Sequence, residues 1–130
     1  VILLIDDNAA HRILIRRAIR KVLPEATIQE LSSLQESLRF LAENDIGPAK
    51  AMIVDMNLGD GKGTEVIKKL RELSNSPPVL LLSTSRLEED RENALLVGAD
   101  KYVVKEEDPE TFLREVAEGL KAILRKEDNK

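Results

Sequence analysis

The chain has 130 residues, 42% hydrophobic and 34% charged, with a formal net charge of −4 and no cysteine. That composition fits one domain with its own core, and it excludes a disulfide framework, a thiolate metal site and an overall basic footprint for nucleic acid. One Tyr and two Phe provide no set of rings on which bases could stack, and no apolar run approaches the roughly 18 residues of a membrane span.

The opening run Val1-Ile2-Leu3-Leu4-Ile5 reads as a strand and meets Asp6-Asp7 at once, too soon for a signal peptide. A cytoplasmic protein is expected, and a start without Met, directly in a strand, is expected of a trimmed chain. A helix follows over about Ala9–Leu23, with Asn8 as its cap and Pro24 as its stop. Its apolar stripe, Leu14, Ala18 and Val22 beside Ile15, Ile19 and Leu23, has helical spacing. The second strand is Ala26–Leu31. Ser33-Leu34-Gln35-Glu36 reads as a capping box opening a helix to about Glu43. Gly47-Pro48 breaks the chain before the third strand, Ala51–Val54. Residues 56–63 form a glycine-rich loop, a helix capped by Thr64 runs to about Leu73, and Pro77-Pro78 leads into the fourth strand, Val79–Leu82. Ser85-Arg86-Leu87-Glu88 reads as a second capping box, for a helix that Gly98 stops. After the fifth strand, Lys101–Val104, Asp108-Pro109 supplies a cap and a first-turn proline. The last helix is expected to end near Arg125, giving one domain over 1–125 and a polar, frayed tail over 126–130.

Five short aliphatic runs separated by helical stretches describe an α/β fold, one parallel sheet covered by helices on both faces with right-handed crossovers. Periodicity does not choose among the possible strand orders. In such sheets ligands bind beyond the carboxyl ends of the strands. Four of those ends carry Asp6-Asp7, Asp55, Ser83 and Lys105. Three carboxylates would hold a hard divalent cation, and one of them could receive a phosphoryl group.

As a set, these motifs resemble the receiver domains of two-component response regulators over almost all of residues 1–125. The resemblance is carried by Asp6-Asp7, by Asp55 with Met56-Asn57-Leu58 through Gly63, by Ser83, by Gly98-Ala99-Asp100, by Tyr102 and by Lys105. It implies a flavodoxin-like fold of strand order 2-1-3-4-5 flanked by five helices. It implies a signalling switch rather than an enzyme with a separate substrate, its turnover limited to self-phosphorylation and self-dephosphorylation. Asp55 would take a phosphoryl group from a histidine kinase or a histidine phosphotransfer protein, with Ser83 and Lys105 contacting that group. Asp6, Asp7, Asp55 and the Asn57 carbonyl would hold Mg²⁺. Ser83 and Tyr102 would form the switch that shifts the surface of the fourth helix, fifth strand and fifth helix toward an effector protein or output domain, or toward a phosphorylation-linked dimer. Asn57 and Ser85, two residues beyond Asp55 and Ser83, would tune the phosphoryl lifetime. Kinase docking is expected on the first helix at Arg12 and Arg16; the plain alternative pairs that basic stripe with acids such as Glu115 or Glu118 on the last helix. Direct contact with nucleic acid or membrane is not expected.

Elementary physics agrees with these assignments. In the order 2-1-3-4-5 the first and third strands are neighbours, about 4.8 Å apart, so the three acids share one pocket. Two carboxylates about 4 Å apart repel by roughly 4 kcal/mol at an effective dielectric of 20, and an all-oxygen donor set suits Mg²⁺. Lysine suits the more distant fifth strand because its long stem carries a point charge across the gap. Two positions depart from the family pattern. Glu106 follows Lys105 where many receivers have a cis proline, which leaves the geometry of that bond open. Gly59 replaces a common proline and is expected to loosen the loop. Other functions fit less well. An aspartyl-phosphate hydrolase needs a second acid where Asn57 stands, and Asp6-Asp7-Asn8 would repel the phosphate of a flavin or nucleotide. A receiver that acts without phosphorylation is the remaining alternative. The lone His11 reads as a surface residue.

Overall fold

The computed structural model describes the backbone of residues 1–128 and the side chains of residues 1–125. Strands β1 (Ile2–Ile5), β2 (Ile28–Leu31), β3 (Ala51–Asp55), β4 (Val79–Ser83) and β5 (Lys101–Val104) alternate with helices α1 (Ala9–Val22), α2 (Leu34–Glu43), α3 (Gly63–Arg71), α4 (Glu88–Val97) and α5 (Pro109–Asp128). All strand pairings are parallel and the order is β2-β1-β3-β4-β5, a flavodoxin-like sheet. Successive side chains along a strand point to opposite faces. Ile2, Leu4, Ala51, Ile53, Leu80 and Leu82 therefore join α1 and α5 in one core. Leu3, Ile5, Met52, Val54, Val79 and Leu81 join α2, α3 and α4 in the other. Both faces of β1, β3 and β4 are buried, which is why their sequences are apolar throughout instead of alternating.

The register sets the site. Ile5 pairs with Val54, so Asp6 and Asp55 follow side by side at the strand ends. Ser83 pairs with Val104, so Lys105 emerges one residue later on the neighbouring strand.

The helix ends depart from the sequence expectation in instructive ways. Ser33 caps α2 by accepting the Glu36 N–H at 3.0 Å, but the Glu36 carboxylate turns to Ser32 and leaves the box half closed. The box expected at Ser85 does not form. The Ser85 hydroxyl accepts the Leu87 N–H and donates to Asp90, building a turn ahead of a helix that begins only at Glu88. Helix α3 is capped at Lys62, not Thr64, with the Glu65 carboxylate accepting the Lys62 N–H at 3.1 Å, and it stops at Arg71, short of Leu73. Asp108 caps α5 as expected, and the Thr111 hydroxyl and N–H that it binds hold its carboxyl below the ordinary value. Helix α5 runs to Asp128, past the expected end near Arg125. Asn129 and Lys130, the end of the expected tail, lie outside the described residues.

Candidate functional site

The carboxyl ends of β1, β3, β4 and β5 surround a cleft of about 620 Å³ whose walls include Asp7, Asp55, Asn57, Ser83, Ser85 and Lys105. Asp6 lies beneath it, wholly buried. Asp55 is 7% exposed and Ser83 5%. The Lys105 ammonium reaches across the sheet to Asp55 Oδ2 at 3.1 Å and Asp6 Oδ2 at 3.3 Å, with its side chain 8% exposed. Burial pushes the Asp55 carboxyl above its ordinary value; the Lys105 charge opposes that rise and the Asp6 charge adds to it.

Asp6, Asp7 and Asp55 each offer an oxygen, and the three lie within 4.8 Å of one another. One member is exposed and two are buried, so the cluster is open to solvent on the Asp7 side. Hard oxygen donors around one point suit a hard divalent cation such as Mg²⁺, which keeps part of its water shell. The residues present thus fit the divalent cation that the sequence led us to expect.

Several contacts fix the path of the loop after Asp55. Gly59 has φ +80, a value closed to proline, whose ring fixes φ near −65°. The missing proline therefore reflects a different backbone path. Leu58 is buried, Met56 O accepts the Gly63 N–H at 2.7 Å, and Asn57 bridges to Lys62. Asp60 crosses to α2 and accepts the Leu34 and Gln35 N–H groups at 2.8 and 3.0 Å, which lowers its carboxyl below the ordinary value. At Gly63 a Cβ would stand 2.2 Å from the Asp55 carbonyl oxygen, so only glycine lets the loop return this close to Asp55. Among the described residues no peptide bond is cis, so Lys105–Glu106 is trans.

Ser83 Oγ accepts the Ser85 N–H at 3.1 Å, and the Ser85 carbonyl accepts the Tyr102 hydroxyl at 2.7 Å. Tyr102 is half-buried against the α2–α4 core. Ser83 and Tyr102 are thus joined through one residue. Arg12 and Arg16 bind Glu30 on β2, at 3.3 and 2.8 Å, and not the α5 acids Glu115 or Glu118. Arg12 also donates to the Asp6 carbonyl at 2.7 Å, which ties the start of α1 to the site.

Three participants escaped the sequence reading. His11 is not a plain surface residue: its Nδ1 lies 2.9 Å from Lys105 Nζ, and it lines the cleft. Its position in the first turn after an acid pair was the available signal. Asp60 looked like one loop acid among several, because the helix it caps begins 26 residues earlier. Asp90 lines the cleft too, held by Ser85; a first-turn acid on a helix is too common to stand out.

The family model "Response regulator receiver domain" matches residues 2–117. The nitrate/nitrite response regulator protein NarL of Escherichia coli strain K12 is 36% identical over 113 residues, which make up 87% of this chain and 51% of NarL. The methanogenesis regulatory protein FilR1 of Methanothrix harundinacea is 33% identical over 125 residues, 95% of this chain and 27% of FilR1. The chain therefore spans about half or less of these curated relatives. A response regulator receiver domain from Rhodospirillum rubrum superposes with a TM-score of 0.81 at 25% identity, covering 93% of this chain and 92% of that one. Among the described residues no helix is long and apolar enough to cross a membrane. With the family model matched from Ile2 to Ala117 and the strand order 2-1-3-4-5 in place, the chain belongs to the response regulator receiver domains, the phosphorylation-based switches of two-component signalling.

Proposed function

We propose that Asp55 is the phosphoacceptor of a receiver domain spanning residues 1–125, and that a histidine kinase or histidine phosphotransfer protein supplies the group. The observation that carries this reading is the Lys105 ammonium, fixed 3.1 Å from Asp55 inside an acidic cleft. An Asp55 oxygen attacks the phosphorus of a phosphohistidine, the P–N bond breaks, and the imidazole nitrogen keeps the electron pair. Transfer of this kind needs positioning and charge neutralisation more than covalent help. Lys105 meets the charge on the transferring oxygens, and Ser83 donates its hydroxyl to one of them. Asp6, Asp7, Asp55 and the Asn57 carbonyl would hold Mg²⁺, which supplies further neutralisation when bound. A phosphoryl group adds about −1.5 to −2 charges to Ser, Thr or Tyr, and a similar addition on Asp55 draws Ser83 inward. Through Ser85 that pull acts on Tyr102 and on the surface of α4, β5 and α5, where an effector protein, an output domain or a second copy would read it. Arg12 and Arg16, partly exposed beside Glu30, are the proposed docking contacts for the donor. The reading places the domain in the cytoplasm, where such donors work.

Intact-mass analysis with acetyl phosphate or phosphoramidate, with and without Mg²⁺, tests it. One Mg²⁺-dependent phosphoryl addition is expected, mapped to Asp55 by peptide analysis. No addition, or an addition elsewhere, would overturn the reading and leave a receiver that acts without phosphorylation.

Thermal melts should rise with millimolar Mg²⁺, because the cation relieves repulsion within the acid cluster. Binding at 100 times the dissociation constant adds about 2.7 kcal/mol. Asp7→Asn should lose the response, and an equal response in that variant would count against the site.

Asn57 and Ser85 should set the phosphoryl lifetime. The Ser85 hydroxyl is engaged by Asp90 at 2.5 Å, so a longer polar side chain there changes the cleft wall as well as the path of an attacking water. Ser85→Gln, Ser85→Lys and Asn57→Arg should shift decay after donor removal several-fold, where tenfold is about 1.4 kcal/mol of barrier. Identical decay across the series would remove both residues from that role.

A further inference from the structure

We infer that His11 is a positioning residue that holds the Lys105 ammonium in place while Lys105 exchanges its other partners; the inference rests on Asp55 being the acceptor. An ammonium has three N–H donors, and Lys105 faces three acceptors: Asp55 Oδ2 at 3.1 Å, Asp6 Oδ2 at 3.3 Å and His11 Nδ1 at 2.9 Å. The first two are the acceptor carboxylate and a member of the acid cluster. When the Asp55 oxygen becomes an acyl phosphate, the Lys105 bond to it must move to a phosphoryl oxygen. When a cation occupies the acid cluster, Asp6 must share its oxygens. His11 alone is neither esterified nor part of the acid cluster. It is the one contact that can persist through the whole transfer.

Both the backbone and the ring of His11 have partners. Asn8 Oδ1 accepts the His11 backbone N–H at 3.1 Å, and the Asn8 N–H itself donates to Asp6 Oδ1 at 2.9 Å. The first turn of α1 is therefore built on the acid it helps to serve. The imidazole also meets Phe112 of α5 at a tilt, with ring centroids 6.0 Å apart. The imidazole edge that meets Lys105 must carry a lone pair, because an ammonium can only donate. This assigns the Nε2–H tautomer, with the donor nitrogen turned away from the lysine. An uncharged acceptor suits the task. It orients the ammonium without drawing its charge away from the phosphoryl group, as a third carboxylate would.

The test compares three variants by their rate of phosphoryl uptake from phosphoramidate at saturating Mg²⁺. His11→Leu removes the acceptor and should slow uptake about three- to tenfold, the upper figure corresponding to about 1.4 kcal/mol of barrier. Its Mg²⁺ half-saturation should stay at the wild-type value. His11→Asn puts an oxygen one bond beyond Cγ, where Nδ1 stands, and should recover most of the rate. His11→Gln carries its oxygen one bond further and should not. Wild-type speed in His11→Leu, or an Asn variant as slow as Leu, would overturn the inference. Should the wild type take up no phosphoryl group, the acceptor assignment fails first, and a second measurement still decides the role of His11. Two-bond ¹H–¹⁵N correlations of the wild-type imidazole at pH 8 are expected to show a bare Nδ1 and a protonated Nε2. The opposite tautomer, or free exchange between the two, would overturn the inference on its own.

Discussion

Asp55→Asn is expected to take up no phosphoryl group from any small donor, and to melt at a higher temperature than the wild type. The first effect follows from loss of the attacking oxygen. The second comes from the raised Asp55 carboxyl, which burial disfavours in its charged form. A native state that binds this proton more tightly than the unfolded chain loses stability as pH rises from the ordinary value of 3.8 through the higher folded value, and stays lower above it. Asparagine keeps the shape and removes the charge. The gain should be absent below the unfolded value and present at neutral pH without Mg²⁺. Any gain reads as a rise in melting temperature, roughly 2–8 °C for each kcal/mol in small domains. Melts of both proteins from pH 3 to pH 8 in chelator measure the window. A variant that is less stable at neutral pH, or one that is still labelled, would contradict the account.

Lys105→Met should produce the larger stability change, in the opposite direction. The Lys105 side chain is 8% exposed and bridges Asp6 and Asp55, whose side chains are 0% and 9% exposed. Removing one partner from a buried ion pair costs about 3–5 kcal/mol, because the remaining charge keeps no counter-ion. Here two like charges would be left together. Methionine fills much of the vacated volume, so the loss reports charge more than a cavity. Millimolar Mg²⁺ should restore part of the stability, because a cation on the acids does what the ammonium did. It should not restore the rate of phosphoryl uptake, since the contact to the transferring oxygens is gone. Denaturant titrations in chelator and in Mg²⁺, beside uptake rates, separate the two roles. Equal stability of variant and wild type in chelator would mean that the acids do not depend on Lys105.

The fold was legible in the sequence because both faces of the sheet are covered. Central strands such as Ala51–Asp55 and Val79–Ser83 are apolar at every position up to the polar end residue, so each strand announced where its site residue stood. The strand order was not written in periodicity and came through the resemblance. Helix starts were read less well, since a cap depends on which acceptor reaches an N–H in space. Ser85 has a capping-box pattern, yet its hydroxyl is used by Asp90 and by the Leu87 N–H. Asp60 has no cap pattern and closes α2 from 26 residues away. The same limit hid His11, whose contact with Lys105 spans 94 residues. Acids and lysine at strand ends could be placed by topology alone. A ring in the first turn of a helix could not, because its partner arrives on the last strand.

The bond between Lys105 and Asp6 joins residues 99 apart in the chain, and this has a consequence for the order of assembly. Strand β1 is made before the other four, and its acids emerge long before the lysine that will face them. Chains fold from the N-terminus as they are made, and pairings between distant segments form slowly. The acid pair must wait for β3 to bring Asp55 and then for β5 to bring the ammonium. Until β5 is in place the cleft therefore lacks the lysine that bridges Asp6 and Asp55, however well β1 to β3 have paired.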